Sequence, residues 1–260
     1  MTDAKQSLKH ALITGASGGI GGEIAVLLAA EGWRVGLCGR NKLKLDAIAS
    51  RCQGQADVFV GDVTDAEAMN DWLLQADARA PVECIVACAG VGGGGVLAGP
   101  EGESPETARR VIGVNVMGVV NAIAPLVEKM ASRGKGQIVL VSSVAGLIAL
   151  PDSPAYCASK AALVAYGESL RRLLKRRGVF VSVVCPGFVD TDMVRSLPID
   201  PPFMWTADRA ARAIVAGMKK RRPILVFPWQ MRAAVVLTRI LPRPVVDCIL
   251  QLLRAGAYST

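Results

Sequence analysis

His10-Ala11-Leu12-Ile13-Thr14-Gly15-Ala16-Ser17-Gly18-Gly19-Ile20-Gly21 joins a short apolar run to a glycine-rich turn, and a second apolar run, residues 25–30, follows it. The first run reads as a strand and the second as part of a helix, so the glycines occupy a strand-to-helix junction. Glycine allows a tight turn there and a close backbone approach to a pyrophosphate, whose charge the helix N-terminus stabilises. The spacing of Gly15, Gly19 and Gly21 is G-x-x-x-G-x-G, not the commoner G-x-G-x-x-G. A glycine turn with no ligand is the competing reading, and the place between strand and helix disfavours it.

Outward from this junction the pattern repeats. Residues 35–38, 58–60, 84–87, 138–141 and 179–184 read as strands, and residues 42–51, 66–76, 107–132 and 155–177 as the helices between them. Short apolar strands alternating with helices predict βαβ units around a parallel sheet buried on both faces. The fold class expected is therefore α/β with a doubly wound sheet. With 260 residues, 52% of them hydrophobic, and a mean hydropathy of +0.37, one large domain suffices. That domain is assigned to residues 1–228. Residues 229–260 form a helical extension, beyond a last strand at Ile224–Phe227.

The end of the second strand reads Gly39-Arg40-Asn41. An acidic residue there would hold a ribose 2′-hydroxyl; a guanidinium with no carboxylate favours a 2′-phosphate, hence NADP(H) over NAD(H). A solvated loop arginine is the alternative for Arg40. Further on, Tyr156 and Lys160 stand at i and i+4, one above the other if the segment is helical, with Ser143 thirteen residues before the tyrosine. A cation beside a phenol favours the phenolate, so a lowered Tyr156 pKa is expected, suiting acid–base work near neutrality.

Taken in order, these motifs resemble those of the short-chain dehydrogenases/reductases, single-domain Rossmann enzymes, along about 190 residues. Besides Gly15, Gly19 and Gly21 they include Asp62-Val63, Ala89-Gly90, Asn115, Ser143, Tyr156-x-x-x-Lys160, and Pro186-Gly187 with Thr191. The resemblance implies a catalytic set of Asn115, Ser143, Tyr156 and Lys160. Tyr156 exchanges a proton with the substrate oxygen that Ser143 holds, Lys160 binds the nicotinamide ribose, and Asn115 anchors a relay water. It implies cofactor contacts from Gly15, Ser17, Gly19, Ile20, Gly21, Arg40, Asp62, Val63, Ala89, Gly90, Pro186, Gly187 and Thr191, besides Tyr156 and Lys160. Homodimers or homotetramers paired through the two longest helices are also implied. Two departures stand out: Ala87-Cys88-Ala89-Gly90 replaces Asn-Asn-Ala-Gly, and the Asp-Gly-Gly ending after the last strand is missing.

The function expected is reversible carbonyl–alcohol interconversion, with a catalytically silent NADP(H)-sensing protein as the alternative. The resemblance implies a mobile lid over the substrate at about 192–210, a proline-rich region with Met193, Leu197, Phe203, Met204 and Trp205; their apolar character is read as facing a hydrophobic, lipid-like substrate or as packing on the core. Seven cysteines without metal-ligand spacing, mostly in apolar runs, suggest buried thiols in a reducing cytoplasm and no metal. No signal peptide is expected, nor any stretch of the roughly 20 apolar residues that span a bilayer. The net charge of +8 is lopsided: residues 205–260 carry ten basic side chains against Asp208 and Asp247, and the rest is balanced. The tail is therefore read either as a cationic amphipathic segment touching an anionic membrane peripherally, or as a helix packed on the core or a partner subunit. Nucleic acid is not an expected partner, because no stacking aromatics accompany the basic cluster.

Overall fold

The structure, a computed structural model, describes residues 9–92, 103–197 and 201–258. The first strand, β1 (His10–Thr14), runs into α1 (Gly19–Ala30), followed by β2 (Arg34–Gly39), α2 (Lys42–Arg51), β3 (Ala56–Val60), α3 (Ala66–Arg79) and β4 (Val82–Ala87). After α4 (Pro105–Ile112) and α5 (Gly118–Arg133) come β5 (Gly136–Val141), α6 (Pro154–Leu174) and β6 (Val179–Pro186). The chain ends in β7 (Val189–Asp190), α7 (Asp192–Arg195), β8 (Trp205–Thr206), α8 (Ala207–Lys219), β9 (Ile224–Phe227), α9 (Trp229–Ile240) and α10 (Arg243–Tyr258).

Seven parallel strands make one sheet, as the alternation of strands and helices predicts, and their order is β3-β2-β1-β4-β5-β6-β9. Successive residues of a strand face opposite sides, and β1 shows the consequence. Ala11 and Ile13 join Ile24, Leu28, Ile214 and Met218 of α1 and α8 on one face. Leu12 joins Met69, Leu73, Ile123, Leu126 and Leu163 of α3, α5 and α6 on the other. The strand order reverses between β1 and β4, and the crevice at their carboxyl ends is where such sheets bind ligands. Edge strand β3 departs from the two-sided burial expected: Val58 and Val60 are exposed.

Three further differences are physical. The predicted helix over 107–132 begins at Pro105, whose φ suits a first turn capped by Ser104, and is interrupted by a π-helical turn at Gly113–Met117. It spans the 29 residues Pro105–Arg133, and its most apolar 18-residue stretch has a mean hydropathy of 1.7, which on length and composition alone suffices to cross a membrane. It is no unbroken apolar run, since Asn115 and Asn121 interrupt it, and Val119, Ile123, Leu126 and Met130 are buried in the core. Helix α8 lies where a substrate loop is expected. Trp205 does not belong to a lid either: β8 pairs with β7, and the Trp205 ring stacks on Phe227 at 5.0 Å. Between α7 and β8, Phe203 and Met204 are exposed, and residues 198–200 lie outside those described. Among the cysteines, 38, 52, 84, 157 and 185 are buried, Cys88 is half-buried and Cys248 is exposed.

Candidate active site

The glycine turn is cramped on two sides. Gly15 has a φ of +68°, and a Cβ there would lie 2.8 Å from the Ala89 Cα at the end of β4. Gly19 has a φ of +52°, and a Cβ would lie 2.8 Å from the Thr191 methyl. Both the left-handed backbone and the close approach require glycine. No side chain caps α1, whereas Asn41, Asp65 and Ser104 cap α2, α3 and α4. The first N–H groups of α1 therefore remain open to an anion. Gly21 lies beneath Gly15, Ser17 Oγ sits against Gly39, and Ile20 packs on the core. Thr14, which the sequence reading left out of the site, accepts hydrogen bonds from both Cys88 N and Ala89 N at 3.2 Å, tying β4 to the turn.

At the end of β2, Arg40 reaches Asp62 at 3.7 Å, so these two expected cofactor residues adjoin. The Arg40 guanidinium is largely exposed. Asp62 is held below the usual carboxylate range, first by the Thr64 backbone N–H, then by the Thr64 hydroxyl and Arg40. Val63 differs from its expected role: its side chain is buried against Gly118, and its carbonyl accepts from Asn121. Asp62 is thus the member of the pair that faces outward. Across the turn, Thr191 caps α7, and Asp192 pairs with Lys44 of α2 at 2.7 Å.

Behind Gly90 the catalytic residues expected converge. A Cβ on Gly90 would lie 3.2 Å from Asn115 Oδ1 and 3.3 Å from Lys160 Nζ. Asn115, fully buried in the π-helical turn, accepts from Val91 N at 2.8 Å and donates to Val91 O and Ser159 Oγ, each at 3.0 Å. Ser159 donates in turn to Tyr156 O at 2.7 Å, which makes it a second site residue the sequence reading passed over, although it sits inside Tyr156-Cys157-Ala158-Ser159-Lys160. Lys160 Nζ donates to Val141 O at 3.1 Å and stands 5.6 Å from the Tyr156 ring centroid, as i, i+4 placement on α6 predicts. Ser143 accepts from Ala145 N and lies 3.5 Å from Pro186 O, while Gly187 N donates to Phe227 O at 2.7 Å.

The electrostatics correct one expectation. Tyr156 is pushed above its ordinary phenol value; burial is the chief cause, and interaction with the Ser143 hydroxyl offsets part of it. Lys160 is not among the groups that lower it, and burial brings the lysine itself down to about 8. Desolvation penalises whichever form is charged, so the same apolar surroundings move the two groups in opposite directions.

A stability consequence follows from Lys160. Between pH 8 and 10.5 the unfolded lysine holds a proton that the folded one has lost, so its contribution to stability rises with pH across that window. The thiols of Cys38, Cys84 and Cys185, raised to about 12, and Tyr156 work the other way as alkalinity increases. The expected result is that Lys160→Met is more stable than the parent at pH 8, by a margin that shrinks toward pH 10.5, in denaturant titrations at both pH values. A margin independent of pH would refute it.

Known proteins fit this geometry. Residues 9–201 match the family model described as short chain dehydrogenase. An uncharacterized oxidoreductase of Myxococcus xanthus is 34% identical over 256 residues, covering 96% of this chain and all of its own. Among solved structures, a short-chain dehydrogenase from Sphingobium yanoikuyae in complex with NADPH is 26% identical with a TM-score of 0.78, covering 95% of this chain and 96% of that one. A short chain dehydrogenase/reductase from Burkholderia phymatum in complex with NAD is also 26% identical, with a TM-score of 0.80 and coverage of 89% and 93%.

Proposed function

For a chain that belongs to the short chain dehydrogenase family and is an oxidoreductase of that family, we propose NADP(H)-dependent interconversion of a secondary alcohol and a carbonyl on a hydrophobic, lipid-like substrate. The observation that carries this reading is the chain of neighbours from Ser143 to Tyr156, from Tyr156 to Lys160, and from Lys160 to Gly90. The cramped glycine turn, the uncapped α1 and the exposed Arg40 fit a dinucleotide phosphate. Gly15, Gly19, Arg40, Asp62, Gly90 and Thr191 would hold it, and when bound it supplies or accepts the hydride.

The chain's own groups do the rest. Carbonyl reduction builds negative charge on oxygen, and the Ser143 hydroxyl and Tyr156 phenol are the donors that answer it. A phenol held above its ordinary value stays protonated at neutral pH, the form needed to give a proton. Lys160, brought to about 8, changes charge within reach of neutrality and can restore that proton. Asn115 and Ser159 hold the Tyr156 backbone in register with Val91. Met193 lies against Gly92, and Phe203 and Met204 further along the same segment are exposed; these apolar side chains support a greasy substrate over a sugar.

Two measurements test this reading. Loss of reduced-nicotinamide absorbance across a panel of carbonyls should be faster with long-chain ketones than with sugars, and no turnover with any of them would overturn it. Arg40→Ala should weaken NADPH binding by about 10- to 100-fold, the worth of a charge-assisted hydrogen bond, and leave NADH nearly unchanged. Asp62, freed of its partner, then adds repulsion against a 2′-phosphate. Equal losses for the two cofactors would sink the assignment.

A further inference from the structure

Helix α9 is anchored on one side and bare on the other. Met231 lies against Gly187, and Val235 is buried, fixing α9 beside the turn that follows β6. On its outer side Trp229, Val236, Leu237 and Ile240 are exposed, Trp229 by 74% and Ile240 by 73%. With Arg232 and Ala233 they line an open concavity of about 380 Å³ whose surface is almost wholly apolar. Residues at i, i+7, i+8 and i+11 share one helix face, so this is a stripe and not a scatter of apolar positions. Helix α10 packs thinly on the body and exposes Val245, Ile249 and Leu252, again at i, i+4 and i+7.

The charge around this surface is one-sided. Arg232, Arg239 and Arg243 are exposed and, among the described residues, stand in no ion pair. Only Asp247 adds negative charge between residues 229 and 260.

We infer that the outer face of α9 and α10 docks on an anionic lipid surface, with Trp229, Val236, Leu237 and Ile240 entering the interface and Arg232, Arg239 and Arg243 meeting the headgroups. A second copy is the less suitable occupant, because a two-fold contact sets the same patch against itself and brings the arginines together with too few carboxylates to answer them. Helices this short do not span a bilayer, but amphipathic segments with arginine beside tryptophan and leucine lie in its surface. Docking would bring the Gly187 side of the site next to the headgroups. The inference stands whether or not the substrate is a lipid.

Co-sedimentation of the full chain with vesicles tests it. The protein should pellet with phosphatidylserine/phosphatidylcholine vesicles and much less with phosphatidylcholine alone. Replacing Arg232, Arg239 and Arg243 together by Gln should weaken partitioning onto the anionic vesicles by about a hundredfold, since each basic residue near such a surface contributes about fivefold. Leu237→Gln with Ile240→Gln should also release the protein, and both variants, altered only at exposed positions, should keep the parent's melting temperature. Equal pelleting on neutral and anionic vesicles, or variants that bind as well as the parent, would overturn the inference. So would a parent dimer in sedimentation equilibrium that Ile240→Gln splits into monomers, which would give the face to a second copy.

Discussion

Tyr156→Phe is expected to lower turnover by about 10²- to 10⁴-fold, the range that a positioned proton donor contributes. The ring stays, so its packing on α6 and its 5.6 Å spacing from Lys160 Nζ stay with it. Only the hydroxyl that faces Ser143 is removed. Affinity for NADPH, measured by fluorescence titration, should change by no more than about twofold, since an interaction used in the transition state acts on kcat. A variant with the parent's turnover would remove Tyr156 from the chemistry. A variant that loses NADPH binding as well would make it a structural residue of the cofactor cleft.

Asn115→Leu is expected to cost about 3 kcal/mol of stability, because it takes Asn115 away from the part-buried Val91 N–H and C=O, two hydrogen bonds at once. For a chain of this size that is a fall of roughly 6–12 °C in melting temperature. Leucine keeps the branched shape of asparagine and leaves no cavity behind, so the loss is not one of empty space. Ser159→Ala is the control. It takes one bond from Asn115 Nδ2 and one from Tyr156 O but keeps the paired bonds to Val91, and should cost less than half as much. Melting followed by circular dichroism decides; equal shifts for the two variants would show that the Val91 pair is not what holds this region.

The parts of the fold legible in the sequence were those carried by local periodicity. The run from His10 to Gly21 announces a strand, a turn and a helix because each has its own residue chemistry, and the i, i+4 placement of Tyr156 and Lys160 needs nothing beyond helix geometry. What escaped depends on tertiary packing. Burial raises Tyr156 against the Ser143 hydroxyl, and no spacing along the chain reveals how much water a phenol loses. Val63 turns inward because Gly118 leaves a space for it. Helix α8 was hidden by composition: its buried side mixes Ala210 and Ala211 with Ile214, Val215 and Met218, and the prolines before it suggested a loop. Thr206, which accepts from Arg209 N, was the available sign of its start. The Lys44–Asp192 pair joins residues 148 apart and has no local signature.

The distribution of thiols equips the chain for spectroscopy. Alkylating reagents attack the thiolate. Burial raises Cys38, Cys84 and Cys185 to about 12 and half-buried Cys88 to about 11, and it also raises Cys52 and Cys157, so all six stay protonated and shielded at neutral pH. Cys248 alone lies in the open, midway along α10. A maleimide dye added to the unaltered protein would therefore attach at one position, with no cysteine to engineer in or out. Its emission colour would report directly whether that helix sits in water or in lipid.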